Sequence, residues 1–294
     1  MGVRVGLIKF FSKTRVYVAT IFLSICLVSL IYGGFPLAVF LSVLIYFGQA
    51  ELVNMMRAKG MNPPLGLILF IDAVLVICAT LKQYNYIVPV LAISTIVIFL
   101  VILFRGAKAT INDIGASFLA ILYGGFLPMH IIFLRDIKGA DILLYGKHID
   151  LGIGYIVLMF VVISVCDIAA FYVGTKLGKT PLWPEVSPKK TVEGAVGGTV
   201  ASIIGAVIVG HFIDLSIIHS VISGFVLSMA AQFGDLAESM IKRDAGFKDS
   251  GNLLPGHGGM LDRADSYVFT GAVAYYYFSI FVNNGTLLSM FMPF

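Results

Sequence analysis

Tyr155-Ile-Val-Leu-Met-Phe-Val-Val-Ile-Ser-Val-Cys-Asp-Ile-Ala-Ala-Phe-Tyr-Val-Gly-Thr175 is an unbroken apolar run carrying a single formal charge, Asp167. A stretch of roughly 20 apolar residues crosses the hydrocarbon core of a bilayer as a helix. Because the run is continuous and does not alternate in period two, an outer-membrane barrel is excluded. An ionisable group inside such a helix is costly, which marks Asp167 as a functional candidate. Outward from this segment the same criterion predicts nine spans, at 16–32, 36–56, 65–81, 87–104, 114–134, 155–175, 195–213, 215–237 and 267–282. The expected fold is all-α, a polytopic integral membrane protein. It divides into N-terminal membrane helices at 1–154 and a C-terminal catalytic region at 155–294, with polar loops at 176–194 and 238–266.

Composition agrees. The 294 residues are 59% hydrophobic and 12% charged, about half the charge of a soluble globular domain. A net charge of +4 is what the inner loops of a polytopic protein carry, so it gives no reason to expect nucleic acid as a partner. Cys26, Cys78 and Cys166 lie inside apolar runs without metal-site spacing and read as packing residues. Arg4, Lys9, Lys13 and Arg15 precede the first span with no small-residue cleavage site after it, which predicts an uncleaved first helix. Gly33-Gly34-Phe35-Pro36 and Asn62-Pro63-Pro64 mark reversals. Gln49 and Glu51 make the end of the second span the least certain boundary.

Of the 20 Lys and Arg, sixteen fall on one side of these spans and four on the other. The positive-inside rule then predicts a cytoplasmic N-terminus, an external C-terminus, and both long polar loops facing the cytoplasm. Any soluble phosphorylated co-substrate would approach from that side.

Those loops hold the chemistry. Lys242, Arg243, Lys248, His257 and Arg263 are interleaved with Asp235, Asp244, Asp249, Asp262 and Asp265. Simple membrane anchors need no acids, whereas mixed cations and carboxylates suit a metal and a polyphosphate. Asp262 and Asp265 lie three apart at the start of the last span and share a helix face. Joined by Asp235 they form a candidate set of hard oxygen ligands for Mg²⁺; alone, they could equally stabilise a helix N-terminus through its dipole. Arginine recognises phosphate bidentately and lysine acts as a compact counter-charge. His257, between Gly256 and the pair Gly258-Gly259, fits a substrate contact or a hydrogen-bonded loop role. In the other loop Ser187, Lys189, Lys190, Thr191 and Glu193 suit a triphosphate tail, with Asp167 nearby in the chain. Gly174-Thr-Lys-Leu-Gly-Lys-Thr180 is one residue short of a nucleotide P-loop and ends a membrane helix, so that assignment is rejected. Asp72, without comparable neighbours, reads as a satisfied buried polar group.

Ser239-x-x-Lys242-Arg243, Lys248-Asp249, Pro255-Gly-His257-Gly258-Gly259 and Asp262-Arg263-x-Asp265 together resemble the signature of the phosphatidate cytidylyltransferase (CDP-diacylglycerol synthase) family. Ser187-Pro-Lys-Lys-Thr191 with Glu193-Gly194, and Asp167, resemble its other characteristic pieces. The resemblance is strongest from about 160 to 282 and implies transfer of CMP from CTP to phosphatidic acid with Mg²⁺; the expected location is the inner cell membrane, with the site facing the cytoplasm as the charge count has it. Asp235, Asp262 and Asp265 are then expected on the metal, with the basic residues on the phosphates. Homodimerisation is compatible with this but no motif specifies it. A CTP-dependent lipid kinase of the dolichol-kinase type shares the basic face and the metal and differs in product. A secondary transporter would use Asp72 and Asp167 in midplane broken helices; the polar residues concentrate instead in the two inner loops.

Overall fold

Gly33, at φ 63°, separates the first two helices, α1 (Lys13–Tyr32) and α2 (Gly34–Ala58). The computed structural model describes residues 13–139, 142–144, 147–253 and 258–283. After the break at Asn62-Pro63-Pro64 follow α3 (Leu65–Thr80), α4 (Ile87–Leu103) and α5 (Ile111–Leu119). A π-helical segment at Ala120–Phe126 joins α5 to α6 (Leu127–Arg135), whose Pro128 lacks the N–H an interior helical position would use. A short hairpin, β1 (Ile142–Leu144) with β2 (Lys147–Ile149), leads to α7 (Leu151–Leu177). A second hairpin, β3 (Pro181–Trp183) with β4 (Ser187–Thr191), precedes α8 (Val192–Phe212). The chain then forms α9 (Ile217–Asp244) and α10 (Leu261–Tyr277), which ends in a π-helical turn at Phe278–Val282.

Among the described residues the fold is all-α apart from the two hairpins, and helix lies within each of the predicted stretches. Among the described residues, six helical stretches are long and apolar enough to cross a membrane. These are Gly34–Ala58, Tyr84–Leu103, Ile111–Arg135, Leu151–Leu177, Val192–Phe212 and Ile217–Asp244. Thr20–Tyr32 and Leu65–Thr80 are apolar but shorter.

The π segment serves packing. It brings Gly124 and Gly125 against Gln49 of α2 and Asp72 of α3. Gln49 Nε2 donates to Asp72 Oδ2 at 2.6 Å and to the Ala120 carbonyl at 2.8 Å, with Asp72 only 2% exposed. Asp72 is therefore hydrogen-bonded through one oxygen, while Oδ1 has no partner among the described groups. A Cβ at Gly125 would fall 2.0 Å from that Oδ1. Overpacking of this kind costs about 1–3 kcal/mol, so Gly125→Ala should lower the midpoint of thermal unfolding in detergent micelles. An unchanged midpoint would show that the α3–π contact yields freely.

In the C-terminal half, α7 and α8 form a close antiparallel pair. Gly194, Gly198, Ser202, Gly205 and Ala206 are the buried stripe of α8, and a Cβ at Gly198 would lie 2.9 Å from the Cys166 carbonyl. Ser202 Oγ donates to Val162 O at 2.9 Å across the pair. Small residues are favoured at such contacts because lipid competes with apolar side chains and close backbone approach supplies the attraction. Cys166 is a buried free thiol in this contact, and Cys26 and Cys78 are also free. The helix α9 packs on α8 and on α10. It continues past the predicted end of its span and stops at a Schellman turn, where Gly246 takes φ 79° and Phe247 N donates to Lys242 O at 2.8 Å.

Candidate active site

Two helices meet where Gly234 of α9 faces the backbone of α10. A Cβ at Gly234 would lie 2.7 Å from the Asp265 carbonyl, so only glycine permits this approach. The crossing sets Asp235, the next residue, beside Asp265. Asp167 of α7 lies within electrostatic reach of both, so that the three carboxylates repel one another. Asp235 and Asp265 are half-buried, whereas Asp167 is exposed. Among the described residues Asp265 makes no ion pair; its Oδ1 accepts only the Ser266 amide, at 2.6 Å.

The hairpin between α7 and α8 supplies the counter-charge. Lys190 Nζ lies 2.6 Å from Asp235 Oδ2, which joins two stretches of sequence singled out separately. Ser187 and Thr191 bound strand β4, and Thr191 Oγ1 also caps α8 by accepting the Gly194 amide at 3.1 Å. Glu193 in the first turn of α8 accepts the amides of Lys179 and Thr180 at 3.1 and 3.2 Å and the Thr180 hydroxyl at 3.0 Å. It thereby ties the end of α7 to the start of α8. Lys189 is exposed and has no ion pair among the described residues.

A second cluster lies beside the first. Lys242 is buried, and its ammonium bridges Glu238, one turn back on α9, and Asp262 Oδ1 of α10 at 2.6 Å. Asp262 Oδ2 also accepts the amides of Ser250 and Gly259, both at 2.9 Å. Burial disfavours the charge of Asp262, but Lys242 and the Gly259 and Ser250 amides outweigh it and hold the carboxyl below the usual carboxylate range. The cations Arg243, Lys248 and Arg263 are exposed, with Arg243 Nη1 donating to the Phe247 carbonyl at 3.1 Å. His257, with the rest of 254–257, lies outside the described residues. Among the described residues, no three or more His, Cys, Asp or Glu side chains group closely enough to hold a metal by themselves.

Three residues at this site were not among the candidates from sequence. Glu238 is 0% exposed; its i, i+4 spacing from Lys242 was the available signal. Tyr123, in the π segment, has a buried hydroxyl without a partner among the described groups, and it feels the charges of Glu238, Asp265 and Asp235. No local pattern announces it. Glu51 appeared only as an oddity near the end of a span; its carboxylate accepts Ser250 Oγ at 2.8 Å and the amides of Met260 and Leu261 at 2.9 Å. Next to these groups, a cavity of about 310 Å³ opens among α1, α2, α6, α7 and α10. Its wall is largely apolar, including Phe40, Leu44, Leu261 and Tyr267, and Arg263 contributes a cation.

Residues 13–281 match the model of a family described as the cytidylyltransferase family. A phosphatidate cytidylyltransferase of Synechocystis sp. is 35% identical over 283 residues, covering 90% of this chain and 95% of that protein. Phosphatidate cytidylyltransferase 4, chloroplastic, of Arabidopsis thaliana is 36% identical over 266 residues, covering 83% of this chain and 67% of its own length. A phosphatidate cytidylyltransferase of Staphylococcus aureus is 32% identical over 263 residues, covering 87% and 95% of the two chains.

Proposed function

The chain belongs to the cytidylyltransferase family and is a nucleotidyltransferase, and we propose that it transfers CMP from CTP to phosphatidic acid. The observation that carries this reading is the Lys190–Asp235 pair at the crossing of α9 with α10, with Asp265 and Asp167 within electrostatic reach of it, among membrane-length helices. A lipid substrate accounts for the helices, and two anionic substrates account for mixed cations and carboxylates.

A phosphate oxygen of phosphatidic acid attacks the α-phosphorus of CTP, and the bond to the β-phosphate oxygen breaks with its electron pair leaving on pyrophosphate. The nucleophile is already an anion, so no strong general base is required. The barrier lies in bringing polyanions together and stabilising the leaving group, which positioning and fixed charge can do. Lys189, Lys190, Arg243, Lys248 and Arg263 neutralise phosphates. Ser187, Thr191 and Glu193 hold the hairpin that presents the two lysines. The apolar cavity accepts an acyl chain, with Arg263 beside the lipid phosphate.

Mg²⁺, when bound, supplies positive charge at the phosphate oxygens. Asp235 and Asp265 fit such an ion, because Mg²⁺ takes one or two carboxylates and completes its shell with substrate phosphate and water. Asp262 supports them from the neighbouring cluster, its oxygens being engaged by Lys242 and two amides. The chain crosses the inner cell membrane nine times, with a cytoplasmic N-terminus and an external C-terminus, as the Lys and Arg distribution supports.

Purified protein given phosphatidic acid and CTP labelled at the α-phosphate should place the label in CDP-diacylglycerol and release pyrophosphate. Chelation of divalent cations should stop both. Release of CDP with γ-phosphate in the lipid would replace this reaction with that of a lipid kinase.

A further inference from the structure

We propose that Glu51, contributed by α2, is a positioning residue that sets the orientation of the first turns of α10 for the transfer reaction. This rests on the cytidylyl-transfer reading of the site. The first N–H groups of a helix have no partners within it, and a carboxylate there also meets the positive end of the helix dipole. Nothing adjacent in sequence serves the start of α10 in this way alone. Glu51 Oε1 accepts the Met260 amide and Oε2 the Leu261 amide, each at 2.9 Å, from about two hundred residues away in the chain. Asp262, Arg263 and Asp265 follow immediately, so the anchor lies within a turn or so of the groups whose placement matters.

Three observations make this a built anchor. Glu51 is 9% exposed, in a helix long and apolar enough to span a bilayer, where an ionised side chain needs compensation. Its two oxygens receive three donors, including the Ser250 hydroxyl at 2.8 Å. The backbone on either side also closes tightly on it, because a Cβ at Gly251 or at Gly259 would come within 2.5 Å of a Glu51 oxygen. Ser250 then passes the contact on. The same Oγ accepts the Asp262 amide at 3.3 Å, and Asp262 holds Lys242, which holds Glu238. A continuous polar chain thus runs from α2 through the loop before α10 into α9. A second tie, from Lys59 just past the end of α2 to Asp244 of α9 at 3.0 Å, is exposed and contributes little.

Charge alone would not require glutamate, but geometry does. Glutamine would turn an NH₂ group toward an amide N–H at one of the two oxygens, and aspartate is one methylene shorter. Either change lets the start of α10 rotate or shift. Misplacement by ~1 Å can cost about 10²-fold in rate.

The test compares wild type, Glu51→Gln, Ser250→Ala and the double variant as full-length protein in detergent. Expected for Glu51→Gln is a fall in kcat per folded molecule of roughly 10–100-fold, with KM for CTP little changed. Amide hydrogen exchange should quicken at 258–262 and stay unchanged in α7 and α8. Ser250→Ala should have a smaller effect, and the double variant should be no worse than Glu51→Gln, because the two side chains act through one contact. A lower folded yield with wild-type kcat in the folded fraction would reduce Glu51 to a structural group and overturn the proposal; additive losses would do the same. Exchange needs no turnover. Should wild type form no CDP-diacylglycerol, the reaction reading fails, whereas unchanged exchange in Glu51→Gln sinks the positioning role separately.

Discussion

Asp265→Asn should lower kcat by about 10²–10³-fold, the usual loss for a group that stabilises charge in the transition state, while the protein stays folded. Asp265 has no ion pair among the described residues, and the Ser266 amide it accepts can equally be accepted by an asparagine oxygen. Removing its charge also relieves repulsion with Asp235 and Asp167. Nothing structural is therefore lost, and the thermal midpoint should be unchanged or raised. The Mg²⁺ concentration for half-maximal rate should rise, since one of the two carboxylates proposed to hold the ion becomes a weaker neutral donor. Wild-type turnover in purified Asp265→Asn would remove this residue from the metal. Asp262→Asn is a poorer test of the metal assignment, because it also strips Lys242 of a partner and weakens the hold on two amides.

Lys242→Ala should show the largest loss of stability, about 3–5 kcal/mol, the range for removing one partner of a buried ion pair. Its ammonium lies between Glu238, whose side chain is 0% exposed, and Asp262, at 9%. Without it Glu238 has no counter-charge and must either remain a buried anion or take up a proton, and both cost stability. The comparison that isolates this cause is the double variant Glu238→Met/Lys242→Met, which removes both charges and fills the volume. It should recover most of the lost stability, as apolar replacements of buried pairs commonly do. Unfolding in a denaturant series measures both. If Lys242→Ala is as stable as wild type, the cluster is not buried as a unit. The phosphate-neutralising role expected of Lys242 from sequence competes with this arrangement, since two carboxylates already use its charge. Lys189, Arg243 and Lys248 remain more exposed to an incoming anion.

Some of this was legible in advance. The helices were, because a run of about 20 apolar residues has few alternatives in a bilayer, and their ends were marked by Gly33 and by Pro63-Pro64. A hydropathy profile does not show where α9 ends, for a physical reason. Glu238, Lys242 and Arg243 look like a solvated loop in a hydropathy profile, yet the helix continues through them to Asp244 because Glu238 and Lys242 pair within it. The hairpin at 181–191 has the sequence of a polar loop, because its short strands carry little apolar alternation. Glu51 was visible as an oddity and nothing more.

By itself the sequence determined that the protein is a helical bundle with the apolar runs of a membrane protein, and which polar stretches hold the candidate site, because run length, charge placement and motif spacing are local properties of the chain. Tertiary structure alone decided which charge from one segment meets which from another: Lys190 with Asp235, Lys242 with Asp262, Glu51 with the start of α10. The reason lies in the helix crossings. Whether two carboxylates share a site depends on how closely their helices approach and at what rotation, and a residue as small as Gly234, which permits the approach, carries no charge to reveal it.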